Sequence, residues 1–376
     1  MLHCSVINNK HRQQCNVSVV AVVPLIKTES DPSCGEINMH EQQITEEEAE
    51  LYDRQIRLWG LDAQKRLRAS SILLVGLGGL GAEVCKNVVL AGIKSVTLMD
   101  SEVLSKNDSS SQFLASREDC GKNRAVASRQ RAQNLNPNVD VQVEVGDVME
   151  KPEEFFKQFD IVCLTCCSPT TMMRINDICH RSNIKFFAGD VYGFYGFSFT
   201  DLNHHSFVEE KVKKVKGSSA TDSQAKKLKA DPTETVFVKK TMTFHRLKEA
   251  FEKDWSGLSE KQLKRAPYIF FILRALFMFH SKFGRKLQPV SAENDRTELQ
   301  RLHNEAFNEM GLKSDLITMD YTEYCTGELG PTCAIVGGII GQEMIKAASG
   351  RDAPLNNFFL YDGVESVGMV DSITAA

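Results

Sequence analysis

The chain has 376 residues, 42% of them apolar, and a formal net charge of −4. That is enough to bury a large core, in one big α/β domain carrying an insertion or in two domains, and it excludes a disordered or fibrous chain. With no global basic field, nothing in the totals argues for nucleic acid or for an anionic membrane as a partner.

Eleven cysteines are irregularly spaced and several sit inside apolar runs such as FDIVCLTCC. That usage reads as buried thiols in a reducing compartment. The early apolar run from Val17 to Ile26 contains Pro24 and follows a polar start without a compact basic region. It is too short to span a bilayer and makes a poor signal peptide.

Residues 1–43 are polar and aperiodic and read as a flexible N-terminal extension. From Thr45, the stretch TEEEAELYDRQIRLWGLDAQKRLRAS places acidic residues first and basic residues last, which suits a helix dipole, with Thr45 as N-cap and Gly60 dividing it in two. Strand-like runs then alternate with helical patterns: SILLVG, VTLMD, VDVQVEV, FDIVCLTCC and IKFFAGD, with helices near 80–91, 122–135 and 169–182. The alternation predicts right-handed βαβ crossovers and a Rossmann-like, doubly wound, mainly parallel sheet over residues 44–202.

After Asp190, VYGFYGFSF reads as a strand at the far edge of that sheet. Residues 203–327 read as an insertion: a charged exposed loop over 209–232, then helices over 243–311 around the apolar cluster YIFFILRALFMF. Residues 328–376 return with a glycine-containing buried helix and the strand FFLYDG, which complete the main domain.

Gly76, Gly78 and Gly81 fit G-x-G-x-x-G directly after a strand and into a helix, and Asp100 follows at the end of the next strand. Glycines there let backbone amides approach a phosphate, and the carboxylate can hold ribose hydroxyls. Taken alone, the pattern points to a nucleotide, with an NAD-dependent oxidoreductase as the first candidate. The same glycines would equally serve a tight turn and close packing with no ligand. The pair Cys163 and Cys166 has metal-like spacing, but residues three apart on a strand face opposite ways and no second pair completes four ligands. No metal site is expected.

Four segments, YDRQIRLWG, GLGGLGAEV, NLNPNVDV and GGIIGQEMIKAASGRDAPLNNFFLYDG, occur in that order. Between about Thr45 and about Gly363 they make the chain similar to the ubiquitin-like-protein activating enzymes, those acting on SUMO in particular, and to their bacterial adenylating relatives. The resemblance implies a heterodimer of two related adenylation-type domains, one of them active. The larger partner subunit binds ATP and magnesium, adenylates the C-terminal glycine of the SUMO protein and takes it onto a cysteine as a thioester.

The chain departs from the active pattern at three places. Where active members carry N-x-N-R-Q-F, it reads Asp108-Ser-Ser-Ser-Gln-Phe113, with Ser111 at the position of the phosphate-binding arginine. Arg124 replaces a lysine in Gly121-Lys-Asn-Arg-Ala125, keeping the charge but not its geometry. Cys166-Cys167-Ser168 stands where a magnesium-binding aspartate is expected, and a neutral thiol is no substitute for a hard oxygen ligand. The insertion also lacks a thioester nucleophile, since no cysteine lies between Cys179 and Cys325.

The resemblance leaves one catalytic contribution: Arg54 of Tyr52-Asp-Arg-Gln-Ile56 reaching across the dimer to ATP phosphate in the partner's site, with Arg57 as the weaker candidate. On this reading the chain is a regulatory or structural subunit, inactive by itself, and a pure scaffold is the alternative. The lysine-rich stretch Ala225-Lys-Lys-Leu-Lys-Ala-Asp-Pro232 reads as a nuclear-import patch in a nuclear family. Ile26-Lys27-Thr28-Glu29 has the apolar-Lys-x-Glu form that would make Lys27 a site of self-modification.

Overall fold

A computed structural model describes residues 18–22, 44–214, 233–288 and 292–374. Strand β1 (Ser18–Val22) comes first, followed by helices α1 (Glu46–Leu51), α2 (Asp53–Trp59) and α3 (Leu61–Ala69). Thr45 caps α1 in a reciprocal box with Glu48, satisfying amides the helix cannot. Gly60, at φ +87°, turns the chain between α2 and α3 as its position in the sequence implies.

The main domain then alternates β2 (Ser71–Val75), α4 (Gly79–Leu90), β3 (Ser95–Asp100), α5 (Arg124–Leu135), β4 (Asp140–Val145), α6 (Glu153–Phe156), β5 (Ile161–Thr165), α7 (Pro169–Arg181), β6 (Lys185–Tyr192) and β7 (Tyr195–Asp201). The insertion contributes β8 (His204–Lys214), β9 (Thr233–Thr243), α8 (Leu247–Phe251), α9 (Glu260–Leu263), α10 (Tyr268–Phe283) and α11 (Ala292–Glu309). The chain closes with α12 (Gly330–Ser349), β10 (Phe358–Asp362) and β11 (Val367–Asp371).

Eight strands form one sheet in the order β11-β10-β7-β6-β5-β2-β3-β4. The five strands from β6 to β4 are parallel and the rest antiparallel, so the doubly wound Rossmann-like expectation holds. The chain reverses its winding between β2 and β5, and in such sheets the crevice at the carboxyl ends of those strands is the ligand position.

Alternating strand residues separate two cores. Leu73, Val162 and Phe186 face α7 and α10, whereas Leu74, Cys163 and Phe187 face α4 and α12. Helix α10 is apolar on nearly every side because it lies between the sheet and α11. Among the described residues no helix is long and apolar enough to cross a membrane. Helix α12 lies close on α4: a β-carbon on Gly337 would sit 2.6 Å from that of Glu83, and one on Gly341 2.7 Å from that of Asn87.

Three expectations change. VYGFYGFSF runs through β6 and β7 inside the sheet, because β10 and β11 return to cover what would have been its edge. Part of the charged stretch after 203 is the long β8–β9 hairpin, whose adjacent charges fall on both strand faces and so leave no period-2 pattern in the sequence. Within the extension, Ser18–Val22 pairs with β9, giving a second sheet in the order β1-β9-β8.

Candidate functional site

The glycine turn leaves β2 at the winding reversal, as its pattern requires. Gly76 has φ +88°, and a β-carbon there would lie 2.0 Å from the Thr165 carbonyl oxygen. One on Gly81 would lie 1.9 Å from the Gly76 carbonyl oxygen. These two glycines therefore make the turn itself. Gly78 and Gly79 are buried and lie against Glu328 and Ser111 respectively. Gln112 closes the turn from the next loop, donating to the Leu77 carbonyl at 3.0 Å and accepting from the Leu114 and Ala115 amides.

A cleft of about 290 Å³ opens beside the turn, lined among others by Asp100, Arg124, Cys166, Cys167 and Gly284. Asp100 is buried, and both its oxygens accept backbone amides, from Leu77 at 2.6 Å and from Glu102 at 2.8 Å. Burial raises its pKa although those amides favour the charge. Arg124 is paired with Asp108 at 2.9 Å.

The first amide of α4 is met from within the chain. The amide of Gly79, at the start of α4, donates to Glu328 Oε2 at 2.7 Å, and the Cys166 thiol donates to Oε1 at 2.7 Å. Lys286 bridges the group, contacting Asp190 Oδ1 and lying 3.5 Å from Glu328 Oε1. Burial would raise the Glu328 pKa, but Lys286, the Cys166 thiol, the Gly79 amide and Arg124 outweigh it and hold it below the usual glutamate range. Burial likewise opposes the Lys286 charge, and the Asp190 and Glu328 carboxylates more than offset it. Burial pushes the Cys166 thiol well up, so it serves as a donor rather than a nucleophile.

Cys166, Asp190 and Glu328 offer ligand atoms within 4.8 Å of one another, a grouping absent from the sequence reading because the three positions are far apart in the chain. Its central cation is already the Lys286 ammonium. Residues here do not fit Mg–ATP: a carboxylate occupies the turn amide, Asp108 neutralises the arginine, and Cys166 and Cys167 replace a hard oxygen ligand. Cys163 is buried on β5, and Cys166 lies beyond the strand at φ +57°, so the two do not act as a pair.

The second sequence-predicted region lies on α1 to α3. Tyr52 is buried and its hydroxyl accepts from Asn136 Nδ2 at 2.8 Å, which ties YDRQIRLWG to NLNPNVDV. Gln55 donates to the Leu90 carbonyl at 3.1 Å, Trp59 to Gln64 at 3.0 Å, and Gln64 to the Ala91 carbonyl at 3.0 Å. With those side chains turned inward, Arg54 and Leu58 point out; Leu58 is 79% exposed. Arg54 is exposed and, among the described residues, its side chain makes no hydrogen bond or ion pair. Arg57 is held in a two-point contact with Asp53, 3.0 Å at each end.

Sequence reading missed Glu328, Lys286 and Asp190, for which no local motif exists, and Gly79, which sits inside the fingerprint it did quote. Lys27 and the lysines at 226, 227 and 229 lie outside the described residues.

The fold and the turn together define an adenylation-type α/β domain in which a carboxylate of the chain meets the first amide after the glycine turn. A model of the ThiF family matches residues 52–375, and the chain belongs to that family. Within it the chain is similar to "SUMO-activating enzyme subunit 1" of Xenopus laevis, 49% identical over 340 residues that cover 90% of this chain and 99% of that one. It is 49% identical to the Homo sapiens protein of that name over 333 residues (88% and 96%) and 51% identical to the Danio rerio protein over 332 residues (87% and 95%).

Proposed function

We propose that this chain is the regulatory, non-thioester subunit of a heterodimeric SUMO-activating enzyme. The observation that carries the reading is near-50% identity along almost the whole length of the relatives that bear the name. The larger subunit binds ATP and magnesium, adenylates the SUMO C-terminus and forms the thioester, while this chain docks against it and presents Arg54 to its ATP phosphates. An exposed guanidinium without an internal partner, on a helix whose other polar side chains are tied down, supports that role over a purely structural one. An NAD-dependent oxidoreductase is disfavoured by the carboxylate on the turn amide and by the two backbone amides that occupy Asp100.

ATP–pyrophosphate exchange, measured with SUMO present, tests the reading: exchange requires both subunits and is absent with this chain alone. Exchange by the partner alone at the full rate would overturn it. We also propose nuclear residence, directed by Lys226, Lys227 and Lys229. Deleting residues 225–229 then slows nuclear entry once any signal on the partner is disabled. Modification at Lys27 is tested by a Lys27→Arg chain, which loses a SUMO adduct in a reconstituted reaction.

A further inference from the structure

The charged groups around the glycine turn are paired with one another without any ligand. Helix α4 is twelve residues long, so its first amides carry a real positive potential, and the free Gly79 amide is the point where an anion would sit. A carboxylate from another part of the chain sits there instead: Glu328, on the loop that enters α12, meets that amide at 2.7 Å. A β-carbon on Gly78 would lie 2.8 Å from the same carboxylate oxygen, so the carboxylate rests directly on the turn. Behind it stand the Lys286 ammonium and the Cys166 thiol, an arrangement that mirrors how a protein holds a phosphate: helix amide, cation and neutral donor around one anionic group. The pocket also holds an unspent polar atom. Asp190 is fully buried, one oxygen contacts Lys286, and Oδ2 has no hydrogen-bond partner.

We propose that Glu328 is a built-in occupant of the phosphate position, and that its carboxylate, more than the loss of the former ligands, makes this half of the molecule reject phosphate anions. A second anion at the turn would have to displace a charged, multiply bonded carboxylate and share Lys286 with Asp190. Removing the carboxylate leaves the opposite situation: an unspent helix amide and a lysine short of one counter-charge, beside a cleft that remains open. This assignment is independent of the role given to Arg54.

The test uses the full chain without a partner, so that any bound anion is its own, with inorganic pyrophosphate and ATP as probes in isothermal titration calorimetry. Wild type is expected to bind neither at millimolar concentration. Glu328→Ala is expected to bind pyrophosphate at least about tenfold more tightly, and Glu328→Gln, which keeps an acceptor for the Gly79 amide, to gain less. Adding Lys286→Gln to Glu328→Gln should abolish the gain. If Glu328→Ala does not fold, as judged by circular dichroism, the near-isosteric Glu328→Gln carries the comparison. Pyrophosphate binding by wild type as tight as by the variants, or no gain in either folded variant, overturns the assignment.

Discussion

The glycine turn and helix α2 both carry family-like motifs, yet they use their polar groups in opposite ways. At the turn every charge is answered inside the chain: Glu328 by the Gly79 amide and Lys286, Arg124 by Asp108, Asp100 by two amides. At α2 the inward groups, Tyr52 at its N-cap and Gln55 on the helix, are bonded to the body of the domain, while Arg54 is left facing solvent. The difference separates a motif kept for its shape from one kept for contact with something else. An unpaired guanidinium on an anchored helix costs little in water and is ready to be desolvated against an anion. A buried network whose charges already answer one another has little left for an outside ion.

The contrast is broken most decisively at Arg54. Arg54→Ala should lower adenylate formation by the heterodimer on the order of 10³-fold, with the denaturation midpoint and subunit assembly unchanged. Normal pyrophosphate exchange by a correctly assembled variant would place the chain among pure scaffolds. The reverse pattern is expected at the turn. Gly81→Ala drives a β-carbon into the Gly76 carbonyl oxygen, at 1.9 Å, and should cost at least about 4 kcal/mol of stability, read from urea denaturation. Those dimers that do assemble should still adenylate SUMO at the normal rate, because the turn itself does no chemistry.

Much of this was legible beforehand, for identifiable reasons. Strand and helix periodicity located β2 to β6 and α4, α5 and α7 closely, since parallel strands buried on both faces leave continuous apolar runs. Ser111, Arg124 and Cys167 announced a changed phosphate site because each departs from a local motif. What replaced the phosphate was invisible: Glu328 and Lys286 lie far along the chain from Gly79, and nothing in a glutamate before a helix or a lysine after one reveals where a tertiary fold will bring it. Likewise the local sequence makes β7 look like an edge because β10 and β11 arrive more than 150 residues later. The inward role of Tyr52 depended on Asn136, which only the fold places beside it.

Next in size is a response to acid. His205 and His280 are nearly buried, and burial, reinforced by Lys185 and by Lys286 respectively, lowers each pKa from 6.5 to about 4. Between those values the unfolded chain binds protons that the folded one refuses, so stability is intact above about pH 6.5 and falls as pH drops toward 4. The expected loss is roughly 2 kcal/mol for each histidine at pH 5, with a shallower pH dependence in the His205→Gln, His280→Gln double variant. An unchanged slope would mean that other groups dominate. Smaller again is Tyr52→Phe, which removes the acceptor of Asn136 but leaves that amide its bond to the Val89 carbonyl. About 1 kcal/mol of stability should go, and adenylation should drop only as far as looser anchoring lets Arg54 wander.

The smallest effect should come from Arg57, one helical turn from Arg54 and equally cationic. Its guanidinium is committed to Asp53 in an exposed pair on the same helix, and such pairs contribute little to stability. Arg57→Ala should therefore change adenylation by less than about threefold and leave the denaturation midpoint where it is. The comparison with Arg54→Ala holds net charge constant, since each variant removes one positive charge from the same short helix. If a general positive field over α2 were what the partner's nucleotide site uses, the two losses would be equal and would weaken together with added salt. If one guanidinium makes a direct contact with a phosphate, the losses differ by two orders of magnitude or more, and salt does not close the gap between them.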